Sequence, residues 1–194
     1  MATLRTLCVY CGSRSGRDPA YGVLAEALGA RCARAGVALV YGGGHIGLMG
    51  RLSDAATQAG GHVTGIIPEH LMRREVADTR ISTLDVVDSM HTRKERMAAL
   101  ADAFCVLPGG LGTLDETLEI LTWKQLGLHD KPIVLLDHGG YWRPFLDMLD
   151  HQAAAGFVDP AHRALFEVAE DLDGLFDAVA RQPEPTITGG GARM

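Results

Sequence analysis

Two short runs carry the residue types that could do chemistry. In Pro108-Gly109-Gly110-Leu111-Gly112-Thr113-Leu114-Asp115-Glu116, a glycine-rich turn is followed within a helical turn by a carboxylate. Glycines let the backbone approach a ligand closely, and the N–H groups that open a helix lack internal partners, so such a turn favours an anion such as phosphate. In Met90-His91-Thr92-Arg93-Lys94, two cations open a helix and oppose its dipole, which is locally unfavourable. A local conflict of that kind marks a functional site, unless Arg93, Lys94 and Arg96 simply form a solvated charged face. Glu116 has two competing roles. Thr113-x-x-Glu116 fits a capping box, the role favoured by this spacing alone; the other is a carboxylate turned toward whatever the glycines hold.

Both runs need strands and helices to bring them together, and the chain alternates the two. Strand-like runs cover 6–10, 37–41, 62–67, 81–87, 103–107 and 132–136, with a short edge strand at 166–169. Helical stretches run from Asp18-Pro19 to Ala35, over 46–59, from 88–90 through Arg96, from Thr113 to about Gln125, over 141–155, briefly from Asp159-Pro160, and over 171–180. Residues 69–80 are polar and irregular, a short helical piece or a lid. This alternation predicts a doubly wound, Rossmann-like α/β parallel sheet with right-handed crossovers and helices on both faces. The apolar, unalternating strands agree, because both faces are then covered. Ligands of such sheets bind beyond the C-terminal strand ends, where strand order reverses. Four turns follow strands and should share that rim: Gly12-Ser13, Gly42-Gly43-Gly44, Met90 to Lys94, and Pro108 to Thr113. Residues 1–181 read as a single nucleotide-binding domain, and 182–194 as a disordered tail.

Composition narrows the partners. The chain has 194 residues, 47% hydrophobic and 22% charged, with 24 glycines, which suits a globular protein rich in tight turns. Its net charge of −6 argues against a general nucleic-acid or anionic-membrane surface. No apolar run approaches the ~18 residues of a membrane span, and Met1 to Arg5 passes into a strand without a signal-peptide core, so the expected location is the cytoplasm. Fifteen arginines against three lysines point to anion contacts made in a local pocket by forked donors. Cys8-Val9-Tyr10-Cys11 has CxxC spacing but ends a strand, where residues three apart face opposite ways, and no second pair completes a zinc site. Together with Cys32 and Cys105 these read as structural thiols. The eight histidines show no pair at ligand spacing, so no metal is expected. Trp123 and Trp142 read as core or interface aromatics. Gly42-x-Gly44-x-x-Gly47 matches the dinucleotide fingerprint, with Glu69 as the candidate ribose acid, but it follows the second strand and leaves the turn at Gly109 to Gly112 without a role.

The motifs at 90–94 and 108–116, together with Tyr41-Gly42-Gly43-Gly44 and Ile46-Gly47-Leu48-Met49-Gly50, resemble those of the LOG (Lonely Guy) family. These are cytokinin riboside 5′-monophosphate phosphoribohydrolases, some formerly labelled lysine decarboxylases. The resemblance runs from Cys11-Gly12-Ser13 to about Ala180. It implies cleavage of the N-glycosidic bond of an adenosine-type 5′-monophosphate, without metal or organic cofactor, by a homodimer. It implies Arg93 and Glu116 as the catalytic pair. Glu75, Lys94, the turn Gly109, Gly110, Leu111, Gly112, Thr113, and Thr122 match nucleotide-binding positions. Ser13, Gly43, Gly44, Met90 and Asp115 complete the expected substrate-binding set. Leu111 stands where many members carry tyrosine, and Asp115 where many carry glutamate.

The implied chemistry suits the residues. Departure of a base from C1′ builds oxocarbenium character on the ribose, and a nearby carboxylate can stabilise that charge, hold the ribose hydroxyls or activate water. Other classes remain open at this point: a non-catalytic nucleotide-binding module, a nicotinamide enzyme, or a pyridoxal-phosphate enzyme needing a Schiff-base lysine from Lys94, Lys124 or Lys131.

Overall fold

The structure is a computed structural model that describes residues 4–72 and 76–181. Seven strands, β1 (Thr6–Tyr10), β2 (Ala38–Tyr41), β3 (Val63–Pro68), β4 (Thr83–Val87), β5 (Ala103–Val106), β6 (Ile133–Leu136) and β7 (Glu167–Ala169), form one all-parallel sheet in the order β4-β3-β2-β1-β5-β6-β7. Among the described residues six α-helices accompany them: α1 (Ala20–Arg34), α2 (Gly47–Gln58), α3 (Met90–Leu100), α4 (Leu111–Gln125), α5 (Arg143–Ala154) and α6 (Leu172–Arg181). This is the doubly wound arrangement that the alternation predicts. The tail from 182 onward and Glu75 lie outside the described residues.

Strand alternation divides the buried side chains between two cores. Leu7, Val9 and Cys11 point toward α1, α2 and α6; Cys8 and Tyr10 point toward α3, α4 and α5. The two cysteines of the CxxC pattern therefore sit on opposite sides of the sheet, and all four cysteines are buried. The N-terminus of α1 lies one residue later than the Asp18-Pro19 signal suggests. Pro19 occupies the cap position and the Asp18 carboxylate accepts from the Ala20 amide at 2.9 Å.

The chain builds β1 through β4 outward in one direction, then returns to lay β5 against the other side of β1. Their C-terminal ends feed turns that separate toward opposite faces, which opens a crevice at the switch point. Below it the two strands are stitched: the Leu107 amide donates to the Tyr10 carbonyl at 2.9 Å, and the Gly12 amide to the Pro108 carbonyl at 3.1 Å.

On one face α1 and α2 pack closely because Gly29 has no side chain; a Cβ there would stand 2.3 Å from the Leu52 carbonyl oxygen of α2. That neighbour is backbone and cannot rotate away, so Gly29→Ala must separate the helices. The expected loss is about 2 kcal/mol of unfolding free energy, measurable as a lower urea midpoint at unchanged m-value. An unshifted midpoint would mean that the two helices slide apart freely.

Candidate active site

A cavity of about 580 Å3 occupies the switch point. The turns after β1 and β5 line it, together with Leu48 and Met49 of α2, Tyr21, Tyr141, Arg93 and Glu116. Arg93 reaches it because Ser89 caps α3 one turn earlier, accepting from the Thr92 amide at 3.1 Å, while Asp88 accepts from the Thr92 hydroxyl at 2.6 Å. Arg93 is 6% exposed. Its Nε donates to the Ile66 carbonyl at 3.1 Å and its Nη2 to the Gly42 carbonyl at 3.5 Å, so it spans the ends of β3 and β2. Nη1 lies 3.7 Å from the Met90 sulfur. These acceptors offset the unfavourable placing of a cation at the start of α3.

The fourth partner of Arg93 is Glu116, with Nη2 3.3 Å from Oε1 and both side chains under a tenth exposed. The capping box favoured by spacing is not formed. α4 begins at Leu111 with Gly110 in the cap position and no side-chain cap, so Thr113 already lies inside the first turn. Its carbonyl accepts from the Thr117 hydroxyl at 2.6 Å. The glycines allow this earlier start: a Cβ at Gly109 would meet the Thr113 hydroxyl at 2.0 Å, whereas at Gly110 and Gly112 it would meet nothing. The amides of Leu111, Gly112 and Thr113 head the helix, and Glu116 is turned to the cavity floor.

The groups under the floor stay neutral. Burial raises the pKa of the Cys8 thiol, and the negative charge of Glu116 adds to the shift. Burial also raises that of the Tyr10 hydroxyl well above its ordinary value, with Cys8 and Glu116 contributing. Arg93 is therefore the cation that faces Glu116 from the α3 side.

Several expected site residues lie elsewhere. Ser13 and the turn from Gly109 through Thr113 line the cavity with Arg93 and Glu116. Gly43 and Gly44 sit behind it. Gly43 adopts positive φ against Ile66 and Ile67, and Gly44 bridges to Ala77. Lys94 turns outward to Asp115 and Glu119, each at 3.1 Å. Burial lowers its pKa, but the hydrogen bonds to those carboxylates outweigh that and hold it above the usual lysine value. Thr122 donates to the Leu118 carbonyl at 2.7 Å and lines a second cavity of about 430 Å3, bounded by α4, α5 and residues 160–165. Arg14, Tyr21 and Tyr141 are cavity residues that the sequence motifs did not single out, and Leu48 and Met49, part of a quoted motif, were given no site role. Arg14 directly follows Ser13 in a strand-end turn, a position that could have been included; Tyr21 and Tyr141 carry no comparable signal.

The dinucleotide pattern is filled by protein. A Cβ on Gly42 would stand 2.1 Å from Arg93 Nη2, and one on Gly47 2.4 Å from the Ser13 and Arg14 backbone. His45, Asp54 and Asp78 bring ligand atoms within 4.8 Å of one another. The Arg80 guanidinium lies among them, Nη2 2.7 Å from Asp54 Oδ1 and Nε 3.2 Å from Asp78 Oδ1. Asp78 also accepts from Ser53 at 2.9 Å, and the Asp78 amide donates to Gly43, so this cluster ties residues 76–80 to the glycine turn.

Residues 49–179 match the family model described as possible lysine decarboxylase. A cytokinin riboside 5′-monophosphate phosphoribohydrolase of Rhodococcoides fascians is 47% identical over 178 residues, covering 91% of this chain and 90% of that protein. The chain belongs to the LOG family. Another member, cytokinin riboside 5′-monophosphate phosphoribohydrolase LOG7 of Arabidopsis thaliana, is 46% identical over 171 residues, covering 88% of this chain and 79% of its own. The LOG fold is shared more widely. The molybdenum cofactor carrier protein of Chlamydomonas reinhardtii superposes with a TM-score of 0.69 at 23% identity, over 92% of this chain and 98% of that one.

Within this LOG chain, Gly42 is the notch that admits Arg93. Its φ is not positive, so alanine suits the backbone but not the space. Gly42→Ala is expected to push the guanidinium off Glu116 and to lower stability by about 2 kcal/mol. Urea unfolding measures the second effect and a crystal structure of the variant the first; an Arg93–Glu116 distance that stays put would refute it.

Proposed function

We propose that this protein hydrolyses the N-glycosidic bond of adenosine or N6-substituted riboside 5′-monophosphates, releasing the free base and ribose 5-phosphate. The observation that carries this reading is the Arg93–Glu116 pair on the floor of a cavity whose rim bears the uncapped amides of α4. The names carried by its relatives support the same reaction.

The 5′-phosphate rests on the amides of Leu111 to Thr113, where backbone dipoles and unpartnered donors favour negative charge. Fixing that end brings C1′ over Glu116 and turns the approach of carboxylate and sugar into an intramolecular one. As the C1′–N bond breaks, its electron pair leaves with the base and positive charge grows on the ribose. Glu116 stabilises that charge and holds the incoming water. Water adds hydroxyl to C1′, and its proton ends on the base. Arg93 orients the carboxylate, while its carbonyl partners keep Arg93 in place.

The lysines give no support to a Schiff-base reaction. Lys94 is paired with Asp115 and Glu119; Lys124 and Lys131 donate to the Lys131 and Ala98 carbonyls, at 2.9 and 2.8 Å. No lysine lines the cavity.

The protein works as a homodimer in the cytoplasm, on a small-molecule nucleotide rather than on nucleic acid. α4 supports the dimer: Leu111 and Leu118, two turns apart, are 86% and 42% exposed, and Leu118 continues into the second cavity with Thr122 and Gln125. A partner on this stripe would cover both the cavity mouth and Thr122.

Incubation with AMP followed by chromatography for adenine tests the reaction. Glu116→Gln should keep nucleotide binding and lose about 100-fold or more in turnover; unchanged release of base would remove Glu116 from the chemistry. Arg93→Ala should likewise abolish most turnover. Sedimentation tests the assembly: the parent chain should run as a dimer and Leu118→Glu as a monomer, and a monomeric parent would rule the dimer out.

A further inference from the structure

One wall of the cavity comes from outside the motif-bearing turns. Tyr141 follows the turn at 138–140 that leaves β6, and its hydroxyl donates to the Gly109 carbonyl at 2.5 Å. Its ring meets Tyr21 edge-on at 5.5 Å between centroids and Trp142 edge-on at 5.0 Å. Trp142 is buried, and its backbone amide donates to Asp137 Oδ1 at 2.7 Å. The position of Tyr141 is thus set by the end of β6, independently of the glycine turn that it touches.

The contact falls where the turn has most freedom. Gly109 and Gly110 share one trans peptide, whose carbonyl and N–H point in opposite directions. A donor on the Gly109 carbonyl therefore fixes where the Gly110 N–H points, and with it the plane that leads into α4. On the preceding side, the Gly12 amide holds the Pro108 carbonyl at 3.1 Å. Gly110 itself has no side chain and open space around it, so sterics do little to hold this peptide. Hydrogen bonds must do so.

We propose that Tyr141 is a positioning residue for the 5′-phosphate cradle: by holding the Gly109 carbonyl it pre-sets the peptide planes on which the phosphate rests. This rests on the nucleotide reading of the cavity. Tyr141 acts on the phosphate end and leaves the Arg93–Glu116 floor untouched, so its contribution appears in ground-state binding of phosphorylated ligands.

Tyr141→Phe removes the hydroxyl and keeps both ring contacts. KM for AMP should rise about fivefold, the worth of one neutral hydrogen bond, with kcat little changed. Inhibition by ribose 5-phosphate should weaken by the same factor, and inhibition by adenine should not. A general loosening of the fold would weaken both inhibitors alike and overturn the proposal. A fall in kcat at constant KM would also overturn it, as would no change at all. Calorimetry of ribose 5-phosphate against ribose separates this proposal from the hydrolase reading. If the parent chain releases no adenine, the reaction is wrong; selective weakening of ribose 5-phosphate binding in the variant would still support Tyr141 in its role. Equal binding of the two sugars by the parent chain overturns it.

Discussion

The buried contact between Arg93 and Glu116 joins two parts of the sheet that the chain builds separately. α3 arrives from the β4 edge and α4 leaves the central β5, yet their side chains meet at 3.3 Å below the switch point. Arg93 also grips the carbonyl ends of β2 and β3 through Gly42 and Ile66. One guanidinium thus ties two strand ends and two helices to the floor of the cavity. A buried pair of this kind is weak support for stability, because desolvation offsets much of the attraction. What it secures is the position of the Glu116 carboxylate on the cavity floor.

The glycines of the motif-bearing segments include two physical kinds. At Gly42, Gly47 and Gly50 the missing side chain makes room for other protein atoms: Arg93, the Ser13 and Arg14 backbone, and the His45 carbonyl. At Gly110 and Gly112 the space is empty. The first kind packs the protein together; the second leaves amides accessible. A glycine pattern read as letters cannot separate them, which is why Gly42-x-Gly44-x-x-Gly47 looks like a dinucleotide cradle and instead serves as a socket.

α4 divides its work by angle. With about 100° between successive residues, Glu116 faces the cavity, Asp115 and Glu119 face Lys94, and Leu118 with Thr122 faces the second cavity. Lys94 pairs with the two outward carboxylates, and the carboxylate on the cavity floor itself is that of Glu116. The neighbouring Cys8 and Tyr10, held neutral by burial, add no negative charge.

The alternation of apolar strands with capped, glycine-ended helices was enough to determine the parallel α/β sheet, because hydrophobic period and turn chemistry are local properties that survive without knowledge of neighbours. The glycine turn at Gly109 to Thr113 and the conflict of Arg93 with its helix dipole were legible for the same reason. Spacing also supported a Thr113–Glu116 capping box, and there it misled: the cap lies three residues earlier, at Gly110, in an extended conformation. Only the tertiary structure decided that Glu116 faces Arg93, that Lys94 is spent on Asp115 and Glu119, that Thr122 borders another cavity, and that Tyr141 holds Gly109 from 32 residues away. Each of those is a meeting of side chains distant in sequence, settled by which strand lies beside which, and the order of strands in a sheet leaves no local mark on the residues that compose them.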